Sequence, residues 1–288
     1  MPDRPDPSTA PSTAEPAPQA EAVFVDAAGV QHRPATGEVR IVSLVPSLTE
    51  LLFDLGLGDR VVGRTAFCVH PKERVKRVRS VGGTKSINME KLRSSAPTHV
   101  LVNIDETPRP LAEKLAEEGA EVLVTHPVAV EDNLGLYNLI GGIFGVGTPA
   151  GQLAERFRQA YAAAVDEARG RPLRRVLYLI WKDPWMTVSR ETYISRMLAL
   201  ANWHTVPGEA DRRYPVVGLD EALLETVDRV LFASEPFPFK AHHIEAFRAD
   251  YPRHATKALT IDGELVSWYG SRAIAGLDYM TALARSLG

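Results

Sequence analysis

The sequence contains a single cysteine, Cys68, which excludes an intramolecular disulfide and leaves the redox compartment open. No apolar run approaches the roughly 18 residues that a membrane-spanning helix needs, so we do not expect a membrane-embedded protein. The 33 basic and 36 acidic residues give a formal charge of −3 and form no long block of one sign. This balance does not provide the basic surface of a nucleic-acid-binding protein.

The sequence also lacks the common catalytic motifs. It has no G-x-S-x-G, no H-E-x-x-H and no glycine-rich dinucleotide fingerprint. Two acidic pairs, Asp105 with Glu106 and Asp262 with Glu264, stand where strands are predicted to end. Adjacent carboxylates at such positions are far more often solvated caps than acid–base pairs. We therefore expect a binding protein, and an enzyme is the weaker alternative.

The first 21 residues are rich in Pro, Ala, Ser and Thr and contain no apolar core. Such a segment buries too little apolar surface to offset the entropy of ordering, so we predict a disordered tail at 1–21. It also lacks the basic end and apolar stretch of a secretory signal. On this sequence we expect a cytoplasmic protein.

Short apolar runs alternate with helical patterns through the first half of the chain. Strands are predicted at Arg40–Val45, Thr98–Asn103 and Glu121–Thr125, after a short hairpin that turns at Gly29. The helix after the first strand is expected to begin at Ser47 as its N-cap. Strands that alternate with helices predict a largely parallel sheet covered on both faces.

One long amphipathic helix is predicted at 149–170, because this stretch has a proline at its start and no internal breaker. A second strand-and-helix pattern follows it. The sequence therefore predicts an α/β protein with an N-terminal lobe at 22–148 and a C-terminal lobe at 171–288. Each lobe would contain a largely parallel sheet, and the long helix would bridge the two.

Several segments resemble the class III substrate-binding proteins of ABC importers, which serve cobalamin, ferric siderophores and haem. The resemblance begins with DAAGVQHRP and RIVSLVPSLTELLFDLGLGDRVVG, and it runs through VGGTKSINMEKL, APTHVLVN and DRVLFASEPFPF. IWKDPWM and DGELVSWYGSR look like a cobalamin-binding-protein-like subgroup. The resemblance implies two lobes bridged by one helix, a metal chelate as ligand, no intrinsic cofactor and a monomer. It also implies an ABC permease dimer as partner and, against the expectation above, a periplasmic location.

Aromatic side chains cluster where strands of the C-terminal half should end, and ligands of open α/β sheets lie beyond those ends. Aromatic walls suit a large flat ligand, although core packing is the alternative for each of these residues. The predicted ligand-binding residues of this half are Trp181, Trp185, Glu235, Phe237, Trp268, Tyr269 and Arg272. Arg272 is a candidate clamp for a carboxylate, phosphate or propionate, or else a surface arginine.

The N-terminal half offers a smaller set of candidates. Pro46 and Ser47 lie at a helix N-terminus, which can attract an anionic group. Cys68 and His70, with His126, suggest a metal, but Cys-x-His supplies only two ligands and a structural zinc site needs four. We predict no dedicated metal site. Cys68 or His70 as an axial ligand to a metal already held in a chelate stays open.

Glu90 and Glu221 each begin a short predicted helix, one in each half of the chain. The resemblance implies that these glutamates dock on arginines of the membrane permease, whereas a glutamate placed for the helix dipole is the alternative. The leading hypothesis is a non-catalytic receptor for cobalamin or a related chelate. A cytoplasmic sensor or carrier of such a ligand is the second, and an enzyme that reuses the fold is the third.

Overall fold

The computed structural model describes residues 22–83 and 86–287, so the tail predicted at 1–21 lies outside the described residues. The described chain opens with an antiparallel hairpin of β1 (Phe24–Val25) and β2 (Gln31–His32). Gly29 has a φ of 79°, which favours glycine, so the predicted turn is confirmed. The ring of Phe24 lies against Gly142, where a Cβ would come within 1.9 Å of it. The hairpin therefore packs on the body of the protein.

The N-terminal sheet contains four parallel strands: β3 (Ile41–Ser43), β4 (Val61–Arg64), β5 (His99–Asn103) and β6 (Glu121–Thr125). Their spatial order is β4-β3-β5-β6. The C-terminal sheet also contains four parallel strands: β7 (Arg174–Leu179), β8 (Trp203–Thr205), β9 (Arg229–Ala233) and β10 (Ala258–Ile261). Their order is β10-β9-β7-β8.

Both four-stranded sheets have the same topology, because in each sheet its first strand along the chain lies between its second and its third. The chain order therefore reverses between β3 and β5 in one lobe and between β7 and β9 in the other. Such a switch point is where an open α/β sheet leaves a crevice beyond its carboxyl edge. The prediction of two α/β lobes with parallel sheets is confirmed.

The helices cover the sheets and connect the lobes. Those of the N-terminal half are α1 (Pro46–Asp54), α2 (Lys72–Val75), α3 (Met89–Ser94), α4 (Arg109–Glu117) and α5 (Asp132–Ile143). The long helix is α6 (Gly147–Ala168). Those of the C-terminal half are α7 (Tyr193–Ala199), α8 (Glu221–Glu225), α9 (Ala241–Asp250), α10 (Gly263–Ser267) and α11 (Arg272–Ser286). No described helix has both the length and the apolar character to cross a membrane.

Helix α6 has 22 residues, or about 33 Å at 1.5 Å per residue. It begins two residues before the predicted start and ends at Ala168, just before Gly170 with a φ of 80°. Its buried face packs on α5 and α11. One hydrophobic cluster joins this face to residues of both lobes, such as Leu48 and Met197, so the helix is embedded in a core that both lobes share. The division of the chain at 22, 149 and 171 stays a prediction.

Two local expectations differ from the structure. Val45 is the N-cap of α1 and Pro46 is its first residue, so Ser47 lies inside the first turn and makes no capping hydrogen bond. Proline fits the first helical position because its missing N–H would have no partner there. The sequence pattern also missed β4, β8 and α5. The two strands are not continuous apolar runs, since β4 contains Gly63 and Arg64 and the middle residue of β8 is His204.

Candidate functional site

The carboxyl edges of the two sheets face each other. His70, which follows β4, places Nε2 3.0 Å from the Glu264 carboxylate on α10. Asp105, which follows β5, accepts hydrogen bonds from Arg213 at 2.5 Å and from Tyr214 at 3.0 Å. Residues after the strands of one lobe thus meet residues of the other lobe. The space between these edges is the inter-lobe cleft.

Exposed apolar side chains follow strands at both edges of the inter-lobe cleft. They come from the segments after β4, β5, β7 and β8, and they are Phe67, Val69, Ile104, Trp181 and Val216, each 42–60% exposed. An exposed apolar side chain beyond the carboxyl end of a strand is placed to contact a ligand held in the crevice there. Sequence reasoning found only Trp181. Ile104 directly follows β5 and could have been found by that position, whereas Phe67, Val69 and Val216 lie 3 to 11 residues beyond their strands and have no such local signal.

The predicted aromatic wall of the C-terminal lobe is divided into two groups. Trp181 meets Phe237 edge to face, with 5.5 Å between ring centroids, and Phe237 lies 4.6 Å from Phe239. Trp185 is partly buried and stacks on Phe239, which is 5% exposed and belongs to the core. Trp181, Trp185 and Phe237 are therefore brought together, and Trp181 is the most accessible of the three.

Trp268 belongs to the second group and is buried, as in the core-packing alternative given for each of these aromatic residues. It is 5% exposed, and its indole N–H donates a 2.8 Å hydrogen bond to Glu235. His70 of the other lobe meets its ring edge to face at 5.6 Å, and the Arg272 guanidinium lies 4.8 Å from its centroid. Trp268 thus packs between the two lobes, while its role in ligand binding stays a prediction.

Arg272 is already engaged by carboxylates. Nε and Nη2 donate to both oxygens of Glu50 on α1 at 2.7 and 2.6 Å, and Nη1 lies 3.1 Å from Glu264. The Arg272 and Glu50 side chains are only 15% and 16% exposed. This bidentate pair joins the lobes, so the predicted clamp for a ligand anion has its fork occupied by the protein itself.

Tyr269 inserts between the lobes and is 6% exposed. Its hydroxyl lies beside Ser47, Asn103 and Thr125 at the carboxyl ends of the N-terminal strands, and burial raises the pKa of this phenol well above its usual value. Within the described chain, the hydroxyl makes no hydrogen bond of good geometry. The structure thus brings two predicted site residues, Ser47 and Tyr269, to one place. Pro46 is buried at the start of the same helix.

The three candidate metal ligands do not converge. Cys68 is 1% exposed, and the Thr49 hydroxyl donates to its sulfur at 3.0 Å. Burial raises the pKa of the Cys68 thiol, which keeps it protonated. His70 pairs with Glu264 of the other lobe, whereas His126 contacts Arg213. Over the described residues, no group of three or more His, Cys, Asp or Glu side chains could hold a metal ion.

A buried carboxyl group of the N-terminal lobe lies within the electrostatic influence of a carboxyl group of the other lobe. Glu106 follows β5, and its pKa is raised to about 8 by burial and by the charges of Glu235 and Asp105. Glu235 follows β9, and burial raises its pKa as well, although the hydrogen bond from Trp268 opposes the shift. At neutral pH, Glu106 is therefore mostly protonated and can donate a hydrogen bond.

Arg213 is the cleft residue that sequence reasoning missed most completely. It lies in the loop between β8 and α8, and its Nε donates to the Glu191 carbonyl oxygen at 2.8 Å. Its guanidinium contacts both Asp105 and His126 of the N-terminal lobe. Nothing in the sequence pattern distinguishes it from the neighbouring Arg212.

The two glutamates expected to dock on a permease are both exposed, and each lies in the first turn of a short helix. Asn88 caps the helix that contains Glu90, and Asp220 caps the helix that begins at Glu221. The Glu221 side chain is 47% exposed and lies 2.9 Å from His254. The structure places both as expected, and the docking role stays a prediction.

Comparison with known proteins agrees with this architecture. The vitamin B12-binding protein of Yersinia pestis (strain Pestoides F) is 27% identical over 209 residues, which cover 72% of this chain and 73% of that protein. The periplasmic vitamin B12 binding protein BtuF of Vibrio cholerae has a TM-score of 0.76 at 16% identity, over 86% of this chain and 96% of that one. The periplasmic heme-binding protein RhuT from Roseiflexus sp. RS-1 has a TM-score of 0.75 at 22% identity, over 87% and 99%.

At these identities the solved structures establish the fold alone. The model of the family described as periplasmic binding protein matches residues 41–252, which is well over half of the chain. The resemblance to substrate-binding proteins of the class III type is confirmed. The chain belongs to the periplasmic binding protein family.

Proposed function

We propose that this protein is a non-catalytic receptor that binds a metal chelate, cobalamin or a related compound, in the inter-lobe cleft. The observation that carries this proposal is the set of exposed apolar side chains around the cleft: Phe67, Val69, Ile104, Trp181 and Val216. A large flat ligand between the two lobes would cover these apolar side chains, and the lobes would cover both faces of the ligand. Both apolar surfaces are thereby removed from water. The relatives that bind vitamin B12 or haem by name support the same class of ligand.

The first experiment identifies the ligand directly. We expect cyanocobalamin or haemin to quench the tryptophan fluorescence of the purified protein on titration. The binding stoichiometry should be near one chelate per protein. Trp181→Ala should weaken that binding, whereas Arg158→Gln on the outer surface of α6 should not change it. Failure of both chelates, together with no coloured compound after native purification, would remove the proposal. Turnover of the bound chelate would favour an enzyme instead.

We propose further that the receptor delivers its ligand to an ABC permease through Glu90 and Glu221. One exposed glutamate in each lobe offers a pair of acidic contacts to a two-fold partner. The double variant Glu90→Lys, Glu221→Lys should abolish transport in reconstituted vesicles and leave chelate affinity unchanged. Glu155→Lys on α6 is the matched control. Normal transport by the double variant would refute the docking role.

Location is part of this proposal, because a receptor for an importer acts outside the cytoplasmic membrane. Fractionation of cells that produce the untagged native protein distinguishes this arrangement from a cytoplasmic carrier of the same ligand. Recovery in the cytoplasm with chelate bound would favour the carrier.

A further inference from the structure

Positive charge is concentrated in the chain segment at 72–79, which we call the basic segment. Five of its eight residues are basic and one, Glu73, is acidic, so the segment has a formal charge of +4, whereas the whole chain has −3. All five basic side chains are exposed: Lys72, Arg74, Lys76, Arg77 and Arg79. The basic segment is therefore a local exception on a chain that is acidic overall.

The fold presents these cations to solvent as one group. Val75, which is 2% exposed, and Val78 pack into the hydrophobic core and anchor the segment. Arg64 at the end of β4 donates from Nε to the Val75 carbonyl oxygen at 3.0 Å, and it pairs with Ser80 through a β-bridge. The backbone of the segment is thus held against the edge strand β4, and the basic side chains between the valines lie on the outer side.

Acidic side chains neutralise little of this charge. Glu73 lies 2.8 Å from Lys76, but the two side chains are 81% and 66% exposed, so this ion pair is weak. Within the described part of the chain, the side chains of Lys72 and Arg77 have no ion pair and no hydrogen bond. Most of the positive charge therefore stays available to a partner.

The basic segment lies beside the helix that contains Glu90. Arg79 donates from Nη1 to the Ser94 hydroxyl on α3 at 2.5 Å, and α3 adds the exposed Lys91. If Glu90 docks on a permease, the neighbouring cations come close to the bilayer that surrounds the permease. Anionic phospholipid headgroups suit such an array of exposed cations, because they offer phosphate charge over a whole surface and require no fixed geometry.

We propose that the basic segment binds the headgroups of anionic phospholipids at a membrane surface. Each Lys or Arg close to an anionic membrane strengthens binding about fivefold. The acidic residues elsewhere on the chain oppose this attraction only weakly, because charges beyond about 8 Å are screened at physiological ionic strength. Such binding would keep the receptor near its permease. The inference goes beyond the proposed function, because it requires neither the chelate nor the permease.

Co-sedimentation of the purified full chain with lipid vesicles tests the proposal. Vesicles of phosphatidylglycerol and phosphatidylcholine in equal parts are compared with vesicles of phosphatidylcholine alone. The wild type should bind the anionic vesicles at about 50 mM NaCl and should lose at least about tenfold in affinity at about 500 mM NaCl. It should not bind phosphatidylcholine alone.

Two double variants locate the binding surface. Lys72→Glu with Arg77→Glu reverses two cations that have no partner, so the protein should stay folded and bind anionic vesicles at least about 25-fold more weakly. Arg158→Glu with Arg169→Glu changes the net charge equally at exposed positions on and just after α6. This control should stay within about threefold of the wild type, because its charges lie away from the segment.

Equal binding of the wild type to both kinds of vesicle overturns the inference, and so does an absence of binding at low salt. The basic segment would then be a candidate contact for an acidic protein instead. Equal weakening by the two double variants also overturns it, because net charge rather than the segment would govern binding. Circular dichroism checks folding, and Lys72→Gln with Arg77→Gln replaces the charge reversal if that variant is unfolded. None of these outcomes involves a chelate, so failure here leaves the proposed function intact.

Discussion

Trp268 and Trp181 differ in burial, and truncation of each should have a different effect. Trp268 is 5% exposed and contacts both lobes through His70, Glu235 and Arg272. Trp268→Ala should leave a cavity and an unsatisfied carboxyl, at a cost of about 3–5 kcal/mol in the free energy of unfolding. Trp181 is 42% exposed, so Trp181→Ala should cost less than about 1.5 kcal/mol of stability.

Urea denaturation followed by circular dichroism measures the stability of the two variants. Titration with the identified chelate measures their ligand affinity. Trp181→Ala should weaken binding by roughly five- to 150-fold, which corresponds to about 1–3 kcal/mol of lost burial. A Trp268→Ala protein within about 1 kcal/mol of the wild type in stability would refute the packing role. Unchanged affinity of a folded Trp181→Ala protein would place the ligand elsewhere.

Three further changes test other parts of the structure. Arg272→Ala leaves the half-buried Glu50 unpaired and should lower the free energy of unfolding, measured by urea denaturation, by about 2–4 kcal/mol. Arg272→Lys should lower the free energy of unfolding less, because it keeps the positive charge. Because the folded protein holds the Glu106 proton up to about pH 8 and the unfolded chain releases it near 4.5, wild-type stability should fall between these pH values. Glu106→Gln should remove about 2 kcal/mol of that fall. This is roughly half of the free energy that corresponds to the whole pKa difference, because the carboxyl keeps some contact with water. Denaturation at pH 5 and at pH 8 measures the change. Gly142→Ala places a Cβ against the ring of Phe24, so limited proteolysis should cut the displaced hairpin faster than in the wild type.

The sequence predicted the two-lobed fold because its signals are local. Buried parallel strands such as β5 and β9 are continuous apolar runs, and the 3.6-residue period shows α6 clearly. Edge strands such as β4 and β8 gave no such signal. Neither is a continuous apolar run, because β4 ends in Gly63 and Arg64 and the middle residue of β8, His204, is polar and exposed.

The site was predicted less completely, although several candidates lie in the cleft. Aromatic residues after strands indicated the correct edge of the C-terminal sheet, and Trp181 is accessible there. Cys68 proved to be buried against threonine hydroxyls, because its side chain points into the core rather than along the loop that contains it. A loop residue's direction is set by the packing around it, which a single sequence does not show.

The sequence alone thus determined most of the helices and strands of this protein, because backbone propensity and burial period act over a few residues. Only the tertiary structure decided the partners of its charged side chains. Arg272 lies 222 residues from the Glu50 with which it pairs, and Arg213 lies 108 residues from Asp105. No local pattern relates positions so far apart. The folded chain brings them together because two sheets of the same topology turn their carboxyl edges toward each other.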